Sequence, residues 1–203
     1  MSPPPPALRL GAAVLLPLVL FGVAALRTPM HIDGAMNLPV AQRLVDRGEY
    51  ARQYDSVPPT PDADPDPPWV RFHPSEVQTN GPFVFVAAAA VGLLGTGQLG
   101  LQAANLAFLG LFAAAVWWLL DRASRLVAVV APTVVLLLLP SPFKNAIGGF
   151  GEIPALSLVV LAVALLAWAG RAGDDRTALR AVTGSLLAAG LAVVTKTYVV
   201  GAL

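Results

Sequence analysis

Cysteine is absent from the 203-residue sequence. That excludes disulfides, thiolate catalysis and cysteine-ligated metals. Histidine is nearly absent too. His31 and His73 are too few and too far apart to build a metal site by themselves. Charge is scarce: Lys, Arg, Asp and Glu make up 12% of the chain, against about 25% in a soluble domain. The formal net charge is +1 and no basic cluster occurs, so no nucleic-acid partner is expected. No internal repeat is visible.

Apolar residues are abundant instead, at 56% of the chain, with a mean hydropathy of +0.69. This composition indicates a membrane protein. Ala, Leu, Val, Gly and Pro dominate, as in chains from GC-rich bacterial genomes. A helix needs roughly 20 apolar residues to cross a bilayer. Candidate spans are residues 10–26, 99–120, 126–139, 154–170 and 181–203. The first is longer than a signal-peptide core, and "GVAALRT" is a poor cleavage site, so an uncleaved anchor is expected. The expected class is all-α: a polytopic integral membrane protein with about five transmembrane helices. A large external first loop, residues 27–98, carries juxtamembrane helices.

"PFVFVAAAAVGLLG", Pro82 to Gly95, is apolar but only 14 residues long, which suits a re-entrant or interfacial segment. Short cytoplasmic loops collect Lys and Arg. If this stretch does not cross, Arg9, Arg122, Arg125, Arg171, Arg176 and Arg180 all fall on the cytoplasmic side. If it crosses, the five arginines after Leu120 separate from Arg9. The first arrangement is the more economical. It places residues 27–98 and 140–153 on one external side.

Within the large loop, Met36, Val40 and Leu44 recur at helical spacing, with Arg43 and Arg47 beside them. A helix along the membrane surface is expected. Pro39 confines its start to Asn37 or Leu38, and Gly48 ends it. "DSVPPTPDADPDPPW" is a Pro/Asp tract that cannot build a core and has no calcium-loop spacing. Asn80-Gly81-Pro82 is turn chemistry, with Pro82 placed to open the short apolar helix. Trp69, Trp117, Trp118 and Trp168 suit interfacial belts.

An anchor helix followed by "DGAMNLPVAQRLVDRGEY" resembles the start of GT-C-type membrane glycosyltransferases, such as the protein O-mannosyltransferases and the aminoarabinose transferase of lipid A. Ala41, Leu44, Gly48 and Tyr50 match the family's first-loop helix, with one spacing loosened. "TNGPFVFVAAAAVGLLG" is similar to its Pro-led juxtamembrane helix, and "LQAANLAFLGLFAAAVWWLLDR" to its second span. "GFGEIPALSLVVLAVALLAW" resembles its next external loop and helix, and "GLAVVTKTY" a later Thr-Lys motif. Members usually have eleven or more spans, so the resemblance implies that this chain is the N-terminal part of such a domain. The family's second adjacent carboxylate is replaced here by Gly34.

The resemblance implies transfer of a sugar from a polyprenyl-phosphate donor to a glycan, lipid or protein acceptor. The implied setting is the extracytoplasmic face of the plasma membrane. Asp33 is implied as the catalytic base. A divalent metal, where such a reaction uses one, would also fall to Asp33. Glu152 is a second acid that would orient acceptor or metal. Lys196, Lys144, Arg71 and His73 are candidates for the donor phosphate, which needs a cationic partner. Structural alternatives stand beside each role. Asp33 and Glu152 suit helix starts, Lys144 can snorkel to headgroups, and His73 can be a plain loop residue. A transporter or flippase fragment and a non-catalytic membrane scaffold are the competing functions.

Overall fold

Uninterrupted apolar sequence buries its backbone polar groups as helix, and the turn chemistry between the runs decides where each helix stops. The computed structural model describes residues 4–27, 37–53, 69–71, 81–95, 97–139 and 151–196. Its helices are α1 (Pro6–Arg27), α2 (Leu38–Arg47), α3 (Pro82–Leu94), α4 (Gln98–Leu120), α5 (Arg125–Leu138), α6 (Glu152–Ala169) and α7 (Asp175–Thr195). The protein is thus an all-α polytopic membrane protein. One three-residue antiparallel pair, β1 (Ala51–Gln53) with β2 (Trp69–Arg71), brackets the Pro/Asp tract, with Ala51 opposite Arg71. Sequence patterning gave no sign of it, because three residues are too few to show an alternation.

Local chemistry sets the boundaries. Gly48 adopts the left-handed region at φ 68° and returns its N–H to Leu44 O at 3.1 Å, closing α2. Ser124 Oγ accepts from Val127 N–H at the start of α5. Asp174 accepts from Thr177 N–H at 2.8 Å at the start of α7. These bonds hold the exposed Asp174 carboxyl below its ordinary pKa. The Asp174 cap starts α7 six residues before the expected residue 181, and α7 ends at Thr195.

Among the described residues, α1, α4, α6 and α7 are long and apolar enough to cross a membrane. The stretch expected as a third span, 126–139, folds as the 14-residue α5. At 1.5 Å per residue it is about 21 Å long, short of a hydrocarbon core of roughly 30 Å. Its end has a local cause. Leu139 precedes a proline in the sequence and is extended, at φ −65° and ψ 148°.

Polar bonds between helices fix their directions. Arg9 Nη2 meets Asp121 Oδ2 at 2.9 Å, joining the start of α1 to the end of α4. Gln102 Nε2 donates to Ala25 O at 2.8 Å, joining the end of α1 to the start of α4. These two helices are antiparallel, so residues 28–97 leave and return at the same end of the bundle. Helix α3 lies at that end. Phe83 reaches Phe108 of α4, with ring centroids 6.4 Å apart, and Val91 packs on Gly100. It therefore folds back along the first part of α4 without a crossing.

Ser157 Oγ lies 2.7 Å from Phe108 O and 2.6 Å from Ile153 O, its one proton shared between two carbonyls. Further along the same helices, Trp118 and Trp168 line one groove, so α4 and α6 run parallel. Ser185 donates to Ala162 O at 2.8 Å across the antiparallel α6–α7 pair. Helix α7 buries Ala181, Ser185, Ala188 and Ala192 in one stripe. Such small residues let helix backbones approach closely in a bilayer. Phe21, Leu101, Leu109, Phe112 and Ile153 fill the core, while Leu15, Val19, Leu126, Leu179 and Leu186 are exposed. An apolar exterior on this scale belongs against lipid.

The tightest backbone approach is at Gly100, where an added Cβ would lie 2.9 Å from Val91 Cα. Gly100→Val should push α3 off α4 and cost about 1–3 kcal/mol, the usual penalty of overpacking. Thermal unfolding of the detergent-solubilised chain, followed by circular dichroism, checks this. An unchanged Tm would contradict the close packing.

Candidate functional site

One end of the bundle gathers the end of α1, the starts of α4 and α6, the end of α7, and both α2 and α3. Helix α6 opens with Glu152 because Gly151, in the left-handed region at φ 88°, turns the chain into it. A carboxylate in the first turn also meets the positive end of the helix dipole. Lys196 is the C-cap residue of α7, extended at φ −150° and ψ 116°. Sequence spacing put it some fifteen residues deep in a span. Lys196 sits at the helix end instead, because α7 stops at Thr195 and the backbone is extended at Lys196.

The two side chains meet there, with Lys196 Nζ 3.4 Å from Glu152 Oε1. Lys196 is 9% exposed and Glu152 is about one-third exposed. Glu152 Oε2 is buried and has no partner among the described residues. The carboxylate therefore neutralises a cation with one oxygen and keeps acceptor capacity on the other.

A second set of contacts holds the surface helices over this end. Tyr50, just beyond α2, stacks on Phe85 of α3 with centroids 5.6 Å apart. Its hydroxyl oxygen accepts from Gly81 N–H at 3.0 Å. Burial pushes the phenol above its ordinary pKa, and this bond partly offsets the rise. Gly81 is at φ 52°, and a Cβ there would come within 2.8 Å of Val194 Cγ1 on α7. Only glycine fits that backbone and that gap. Tyr50, Gly81 and Val194 thus join α2, α3 and α7 two residues before Lys196. Arg43, buried on α2, binds Glu49 through Nε at 2.8 Å and Nη2 at 2.7 Å. That contact ties α2 to the segment leading to Tyr50.

Of the candidate residues read from the sequence, the structure brings Glu152 and Lys196 together. Asp33, His73 and Lys144 lie outside the described residues. Arg71 is placed by its backbone at the end of β2, opposite Ala51. The N-cap position of α2 belongs to Asn37, whose carbonyl accepts from Ala41 N–H at 3.0 Å. Among the described residues no three His, Asp or Glu side chains cluster as a metal site would require. Sequence reading passed over Gln102 and Ser157 because each sits in a mostly apolar run. A lone polar residue inside a span is itself a signal of a partner. Tyr50 was matched to a motif without its bond to Gly81, which spans 31 positions.

Removing one member of a shielded pair strands the other charge. Glu152→Gln and Lys196→Met should each destabilise the α6–α7 pair by about 1–2 kcal/mol, less than a fully buried pair because Glu152 is partly exposed. The double variant should recover part of that loss. Unfolding of the four proteins in one detergent measures the coupling, and additive losses would mean that the pair carries no interaction.

No protein-family model, curated protein or solved structure matches this chain.

Proposed function

We propose that this chain is a GT-C-type membrane glycosyltransferase, or the N-terminal part of one. It transfers a sugar from a polyprenyl-phosphate donor to an acceptor hydroxyl. The observation that carries the reading is the Glu152–Lys196 pair, held 3.4 Å apart at the bundle end where the Asp33-bearing segment leaves α1. Acid and cation at one membrane surface suit a donor with a lipid tail and a charged phosphate. The charge distribution supports the sidedness. Arg9, Arg122, Arg125, Arg171, Arg176 and Arg180 flank the opposite helix ends, which the positive-inside rule assigns to the cytoplasm. The site then faces outward from the plasma membrane.

In the proposed reaction the acceptor oxygen attacks the anomeric carbon of the sugar. The bond from that carbon to the phosphate oxygen breaks, and polyprenyl phosphate leaves with its electron pair. Asp33 takes the hydroxyl proton as general base. Lys196 stabilises the departing phosphate, exchanging Glu152 for it. Glu152 Oε2 orients the acceptor. Lys144, Arg71 and His73 are further candidates for the phosphate.

A second reading is a non-catalytic scaffold, in which the same ion pair staples α6 to α7. A transporter is less favoured, since these charges sit at helix ends and not at mid-span. Asp33→Asn separates enzyme from scaffold. Asparagine keeps the shape and hydrogen-bonding reach of the side chain but cannot act as a base. In proteoliposomes supplied with a polyprenyl-phosphate sugar, release of polyprenyl phosphate should fall by about 10²-fold or more in this variant, at unchanged expression. Transfer at the parent rate would remove Asp33 from the reaction, and no release by the parent chain would favour the scaffold.

A further inference from the structure

The opposite end of the bundle carries a feature that the proposed reaction does not use. An apolar groove of about 270 Å³ runs between α4 and α6. Its lining includes Leu111, Ala115 and Trp118 of α4, with Leu161, Leu165 and Trp168 of α6. Four features define its occupant.

The first is shape. The volume lies below the roughly 300–1,000 Å³ of pockets that enclose a compact small molecule, so the groove suits a single chain laid lengthwise. The second is length. Leu111 to Trp118 covers eight residues, about 10 Å from first to last along the helix, or about two-thirds of one leaflet of a 30 Å hydrocarbon core. The groove starts near the middle of both helices and opens at their arginine-bearing ends. The third is the pair of tryptophans at the opening, where amphipathic rings settle at headgroup depth.

The fourth is charge. The Arg171 guanidinium carbon lies 5.5 Å from the centre of the Trp118 ring. Arg171 is exposed, and a guanidinium over a ring face keeps its N–H donors available for an anion at its edge. The neighbouring acids are engaged elsewhere: Asp121 binds Arg9, and Asp174 caps α7. Asp175, in the first turn of α7, favours its own helix N-terminus. An apolar slot ending in an exposed guanidinium matches an acyl chain joined to a phosphate.

We propose that the α4–α6 groove binds one acyl chain of an anionic phospholipid from the leaflet at the arginine-bearing end, with its headgroup phosphate on Arg171. The site is separate from the Glu152–Lys196 end and does not rest on the glycosyltransferase reading.

The test uses the full chain with Trp69→Phe and Trp117→Phe, which leaves Trp118 and Trp168 as reporters. It is reconstituted in vesicles of phosphatidylcholine containing a minor fraction of phosphatidylglycerol. Bromine is placed on the acyl chains of either lipid, at the same mole fraction in each case. Brominated phosphatidylglycerol should quench the tryptophans with about fivefold higher relative association, as expected for one arginine at an anionic headgroup. Arg171→Gln should bring the two lipids to parity. Ala114→Phe, which fills the groove but keeps Arg171 and both reporters, should also abolish the preference. Equal quenching by both lipids in the parent would mean ordinary surrounding lipid and overturn the proposal. Absence of quenching by either would mean that protein covers the groove, and overturns it as well. A preference that survives Ala114→Phe would place the lipid elsewhere.

Discussion

A hydrocarbon interior offers no partner for a stray polar group, and the helix directions in this protein follow from how its few polar side chains meet that constraint. Gln102 donates to Ala25 O, Ser157 to Phe108 O and Ser185 to Ala162 O. Each bond crosses from one helix to another. Individually such bonds contribute only about 0.6 kcal/mol on average. Their larger effect is on register, because sliding or inverting a helix would separate each side chain from its acceptor on the neighbouring helix. Arg9 and Asp121 act the same way at one boundary, and Glu152 and Lys196 at the other. Small residues along α7 then allow the backbones to close on this register.

The two ends of the bundle differ in kind as a result. One end has short connections between helices and an arginine-rich rim, with an indole-lined groove opening beside Arg171. The other receives the long segment between α1 and α4, and there α2 and α3 lie over the helix ends. Tyr50 and Gly81 lock those two helices to each other, and Val194 brings α7 against the same glycine. In the ion pair at this end Lys196 is buried while Glu152 stays partly open to water, so its electrostatics are stronger than at a free surface but weaker than in a dry interior.

Much of this was legible in the sequence, because hydropathy and turn chemistry are local. The helices of the main spans, the Leu38 start and Gly48 stop of α2, and the Pro82 opening of α3 all follow from residues within a turn of the boundary. The departures come from less local causes. Helix α7 begins at Asp175 because Asp174 supplies a cap ahead of the apolar run, and it stops at Thr195, so Lys196 lies at a helix end and not at mid-span. Helix α5 stops short because Leu139 must be extended before proline. The β1–β2 pair joins segments 16 or more residues apart and leaves no periodic trace. Of the site, Glu152 and Lys196 could each be picked out as ionisable residues near spans. Their pairing across 44 positions could not, since it depends on α6 and α7 being antiparallel with aligned ends.

The shared face of Asp33 and Glu152 rests on α1 ending where α6 begins, and topology tests that most directly. The native chain has no cysteine, so single cysteines at Asp62, Ser124, Gly149 and Gly173 can be probed on intact cells with an impermeant thiol reagent. The expected result is labelling at Asp62 and Gly149 with protection at Ser124 and Gly173. Labelling at Ser124 with protection at Gly149 would put the two acids on opposite sides of the membrane and contradict a common site.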